Sequence, residues 1–72
     1  MAIKRIKSIT LEEVPEAIKS MRTEAGYTQD ELAKLAGMSP SVISRYEKGI
    51  RNPTVTNFQR IVEACGHYLQ IL

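Results

Sequence analysis

The chain has 72 residues, a net charge of +2 and a hydrophobic fraction of 43%. It reads as one small domain of ordinary globular composition, whose single apolar core gives limited stability and which gains from association with a second copy. No apolar stretch approaches the roughly 18 to 20 residues of a membrane-spanning helix. With one cysteine, Cys65, and one histidine, His67, there is no internal disulfide, no four-ligand zinc site and no nucleophile or acid–base constellation, so neither an enzyme nor a cofactor or metal site is expected.

Residues 1–10 interleave Lys4, Arg5 and Lys7 with single isoleucines and carry no secretion-type apolar run, which makes the cytoplasm the expected location. They read as a basic N-terminal arm able to reach a polyanion or as a strand kept soluble by its charges. Residues 11–66 carry the main domain. Its first helix spans about 11–25, with Val14, Ile18, Met21 and Ala25 at helical spacing and Gly26 as terminator. Thr10 and Glu13 fit a capping box, but Pro15 lies too deep for that start, so a short turn at 11–14 followed by a helix from Pro15 is the alternative.

The second helix, 29–36, has Thr28 as N-cap, turns Leu32, Leu35 and Ala36 inward and stops at Gly37. After a turn of three residues, Ser39 caps a third helix, 40–48, with Pro40 in its first position and Gly49 at its end. Pro53 breaks the chain, and Thr54 caps a fourth helix, 55–65, whose apolar face is Val55, Phe58, Ile61, Val62 and Cys65. The tail, 67–72, alternates in strand fashion. It needs either residues 3–7 or the same tail of a second subunit beside it, and Tyr68, Leu69, Ile71 and Leu72 are the expected dimerisation residues.

Charge is unevenly distributed. Residues 11–31 hold six acids against Lys19 and Arg22, whereas residues 39–60 set Arg45, Lys48, Arg51 and Arg60 against Glu47 alone. One end of the domain should attract phosphate and another repel it. Between these halves, residues 29–48 have the pattern of a helix-turn-helix: Ala33 is small where two helices cross, Gly37 permits a left-handed turn, and Ile43 plugs one helix onto the other. A helical wheel of the third helix places Ile43, Tyr46 and Glu47 on one side and Ser41, Ser44, Arg45 and Lys48 on the other. Tyr27, Tyr46 and Phe58 fall on apolar faces and suit the core better than base stacking.

The segment RTEAGYTQDELAKLAGMSPSVISRYEKGIRNPT, and with it residues 22 to about 65, resembles the Cro and lambda-repressor family, also called the XRE family, through its Thr-Gln-x-Glu-Leu-Ala opening and its Ile-Ser-Arg-x-Glu run. The resemblance implies an all-α lambda-repressor-like fold of four to five short helices, here with a short C-terminal β-strand. It implies that Pro40, Ser41, Ser44 and Arg45 face base edges in the major groove, with Arg45 able to hold guanine O6 and N7 by its planar fork. Thr28 and Gln29, at the start of the second helix, and Lys48, Arg51 and Asn52 beyond the recognition helix, are the expected phosphate contacts. Arg22 and Glu47 are assigned, by the same resemblance, to a structural ion pair. The tail looks more like antitoxins of the HipB type than phage repressors. The expected function is thus a homodimeric repressor of double-stranded DNA reading an inverted repeat; the alternatives are an autorepressing antitoxin that binds a toxin protein and an interaction adaptor that does not read DNA.

Overall fold

The computed structural model describes residues 5–6 and 12–69. Four helices follow one another: α1 Val14–Ala25, α2 Gln29–Ala36, α3 Pro40–Glu47 and α4 Val55–Ala64. Two-residue strands, β1 Arg5–Ile6 and β2 Tyr68–Leu69, lie parallel with Arg5 opposite Tyr68. The remainder of the N-terminal arm and of the tail, including Thr10, Ile71 and Leu72, lies outside the described residues.

The helix boundaries follow from local chemistry. α1 begins at Val14, three residues later than the longer sequence reading, because Pro15 occupies its first turn, where its missing N–H costs nothing. Glu13 precedes it as N-cap without a side-chain capping bond. The Thr28 hydroxyl caps α2 by accepting from the Glu31 amide, while the Glu31 carboxylate accepts from the Thr28 amide, a complete capping box. Thr54 caps α4 by accepting from the Asn57 amide. Ser39 precedes α3 but does not cap it, its hydroxyl lying 3.2 Å from that of Ser41. At the end of α2, Gly37 has a φ of 73°, and the Met38 and Gly37 amides donate to the carbonyls of Ala33 and Lys34, the paired bonds that close a helix through a left-handed residue. The same pair of bonds ends each of the other three helices.

All four helices contribute to one core. Ile18, Leu32, Ala33, Ile43, Ile61 and Val62 are fully excluded from solvent, and Tyr46 nearly so; each large side chain among them stabilises the fold by roughly 1.5–3 kcal/mol. Phe58 and Cys65 join the core, while Tyr27 and Met38 pack at its margin. Two residues placed inward by periodicity are in fact exposed: Leu35 at 57% and Val55 at 63%. In α2 the inward position is taken by Ala33, which lets α3 approach closely, and that turns Leu35 outward. Val55 is the first residue of α4, ahead of the point where that helix meets the core. Among the described residues no helix is long and apolar enough to cross a membrane.

Candidate nucleic-acid interface

Two eight-residue helices, α2 and α3, are joined by the turn 37–39. Helices this short are marginal alone, so their mutual geometry is set by packing: Leu32 and Ala33 from α2 and Ile43 and Tyr46 from α3 are buried together in the core. The Tyr46 hydroxyl accepts from Asn57 Nδ2 at 3.3 Å and ties α3 to α4. With Ile43 and Tyr46 committed to the core, the opposite side of α3 faces solvent. Pro40, Ser41, Arg45 and Lys48 are exposed there and Ser44 is half-buried. Arg51 and Asn52 continue the exposed run into the segment after α3.

Glu47, the one acid between residues 39 and 52, is turned inward. Arg22 Nε donates to its Oε2 at 2.6 Å and Arg22 Nη2 to its Oε1 at 3.0 Å, a two-pronged pair whose side chains are only 14% and 5% exposed. A third guanidinium nitrogen, Nη1, donates to the Tyr27 carbonyl at 2.9 Å. The hydrogen bond to Glu47 is the largest cause raising the Arg22 pKa above its ordinary value, against the opposing effect of burial. The consequence for the surface is electrostatic. Once Glu47 is spent on Arg22, the exposed charges from Ser39 to Asn52 are Arg45, Lys48 and Arg51, all positive.

The start of α2 is less open than the sequence suggests. Of its first amides, those of Thr28 and Glu31 are consumed by the capping box, which leaves the backbone N–H groups of Gln29 and Asp30 as the ones in that turn with no intrahelical carbonyl to meet. The Gln29 side chain does not extend freely either: its Nε2 donates to Glu47 Oε1 at 3.1 Å. Sequence reasoning missed this third member of the pair, because a contact spanning 18 positions carries no periodic signal. Arg60, counted with the basic end in the sequence, lines a groove between α2 and α4 with Lys34, Leu35 and Glu63. No group of three or more metal-ligating side chains occurs among the described residues.

Residues 18–71 match the helix-turn-helix family HTH_3. The chain is 36% identical over 64 residues to Antitoxin HipB of Escherichia coli K12, covering 89% of this chain and 70% of that protein. A mutant of the restriction-modification controller protein C.Esp1396I shares the fold with a TM-score of 0.76 and 32% identity, over 83% of this chain and 78% of that one. The controller protein C.AhdI from Aeromonas hydrophila has a TM-score of 0.74 at 28% identity, over 79% of this chain and 86% of that one.

Proposed function

The chain belongs to the HTH_3 helix-turn-helix family, as a DNA-binding regulator of the XRE type and not an enzyme, and on that premise we propose that it is a homodimeric repressor reading an inverted-repeat operator in the cytoplasm. α3 enters the major groove N-terminus first, bringing Pro40, Ser41, Ser44 and Arg45 to base edges. Arg45 reads a guanine by two parallel hydrogen bonds to O6 and N7, and Ser41 and Ser44 refine the choice of neighbouring bases. Phosphates on either side are held by Lys48, Arg51 and Asn52, and by the backbone N–H groups at the start of α2 beside Thr28 and Gln29. The observation that carries this reading is the inward turn of Glu47 onto Arg22, which leaves an exposed surface of one sign along the recognition helix.

A dimer places two such helices about 34 Å apart, one turn of duplex. Support for it comes from the small core and from the tail: a two-stranded pair of this kind leaves an open edge, against which the Tyr68 to Leu72 segment of a second copy can pair. Enrichment of duplexes from a random library, followed by sedimentation of the complex, tests the whole proposal. An inverted repeat bound by two chains is the expected outcome; a single half-site bound by one chain contradicts the dimer.

A second reading, an antitoxin that represses its own operon and binds a toxin protein, draws on the identity with Antitoxin HipB over most of the chain. It predicts that a protein encoded beside this gene arrests growth when expressed alone and that co-expression of this chain restores growth. Growth arrest that this chain does not relieve counts against it.

A further inference from the structure

Gln29 is the first residue of α2 and Glu47 the last residue of α3. The hydrogen bond between them, 3.1 Å from Nε2 to Oε1, therefore joins the two ends of the helix-turn-helix that lie farthest along the chain from the turn 37–39. At the near end the helices are held by that turn and by the burial of Ala33 and Ile43. The far end lacks such a covalent link, and its leverage is large: an eight-residue helix is about 12 Å long, so each ångström of movement at its far end swings it by about 5°. Arg22 holds Glu47 from α1 and fixes α3 relative to that helix. Tyr46, the residue before Glu47, anchors this end in the core, and Gln29 adds a polar constraint from α2, on the same carboxylate oxygen that accepts from Arg22 Nη2.

We infer that the Gln29 side chain is a positioning residue for base reading: its carboxamide, by donating to Glu47, fixes the last few degrees of the angle that packing sets between α3 and α2 and so the approach of Arg45 to the base edge. This rests on the base-reading role proposed for Arg45. The backbone N–H of Gln29 remains available to a phosphate, and the side chain acts through Glu47. Base reading demands more geometric accuracy than attraction to phosphate, since a two-pronged contact to guanine fails with small changes in approach. A slackened α3 consequently loses discrimination before it loses affinity.

The test uses the full chain, a duplex that the wild type selects from a random library, and the same duplex with the Arg45-dependent guanine replaced. Gln29→Ala is expected to lower discrimination between the two duplexes about 5- to 10-fold, with most of the loss falling on the duplex that carries the guanine. In an Arg45→Ala background the same substitution should have almost no further effect on discrimination, the non-additivity of residues that act through one contact. In the free protein, amide exchange at Glu47 and Lys48 should quicken while that at Ile61 and Val62 does not.

Equal loss on both duplexes would assign the side chain to phosphate binding and overturn the inference. A lower melting temperature with unchanged discrimination by the folded protein would reduce it to a fold-stabilising residue, which overturns it as well. Failure of the wild type to select any duplex is a different result, which defeats the base-reading proposal itself and the positioning role with it.

Discussion

Arg45 and Glu47 stand two residues apart on α3 and take opposite parts, one exposed and one held by Arg22 and Gln29. Arg45→Ala should leave the melting temperature within a degree or two, since exposed substitutions of this kind cost little, and weaken binding to a selected duplex by roughly 5- to 150-fold per half-site, the worth of one two-pronged guanine contact. Glu47→Ala leaves a partly buried guanidinium without its carboxylate, a loss of about 3–5 kcal/mol. At roughly 4–8 °C per kcal/mol for a domain of this size, thermal unfolding should begin at least about 10 °C lower. Equal melting shifts in the two variants would contradict the division. Both residues were legible in the sequence, Arg45 from its place on the polar side of the wheel and Glu47 from the family resemblance; the hold of Gln29 on Glu47 was not, because only the fold brings them together. Cys65 adds a pH-dependent signature. Burial, chiefly through loss of solvation, raises its thiol from 9.0 to about 11. The folded state favours the neutral thiol, so its contribution is complete below the unfolded value and is lost as the pH rises from 9.0 through about 11. Alkylation at pH 8 should be at least about 100-fold slower in the native than in the unfolded chain, and the urea midpoint should fall less steeply above pH 9 in Cys65→Ala than in wild type.

At the scale of the helices, punctuation decided the outcome. Four glycines with positive φ follow the four helices, and prolines or threonines mark their starts, which is why the helix order and most boundaries were readable without the structure. The ends shifted by one residue in α3 and α4, whose last turns give way to Lys48 and Cys65 as caps. Faces were harder to read than ends. Leu35 satisfies a helical apolar spacing yet is exposed, since the neighbouring α3 selects Ala33 for the close crossing and a rule of periodicity does not know where the neighbour lies. The capping bonds also separate positions that look alike. Thr28→Ala and Thr54→Ala should each cost about 1 kcal/mol in urea unfolding. Ser39→Ala should cost less than about half that, because its hydroxyl makes no capping bond to α3. Gly37→Ala meets no atom within 4 Å, so its expected cost of about 1 kcal/mol comes from the left-handed backbone alone.

At the scale of the whole molecule, the exposed Arg45, Lys48 and Arg51 follow the recognition helix, while the exposed acids Glu12, Glu13, Glu16 and Glu24 belong to α1 and the turn before it. Such a distribution steers the α3 side toward a polyanion. Lys48→Ala should weaken binding to all duplexes to a similar extent and flatten the dependence of log affinity on log salt by about two for a dimer, one phosphate contact per subunit. The charge division was visible in the sequence as two oppositely charged segments; the inward pairing of Glu47, which leaves Arg45, Lys48 and Arg51 as the exposed charges of residues 39–52, needed the three-dimensional arrangement. The central claim is that this surface reads bases and does not merely attract DNA. It is tested most directly by selecting duplexes from a random library at two salt concentrations with wild type and with Arg45→Ala. Enrichment of an inverted repeat by the wild type, with preference lost at defined guanines in the variant, is the predicted result; weak, strongly salt-dependent binding that is the same in both proteins would contradict it.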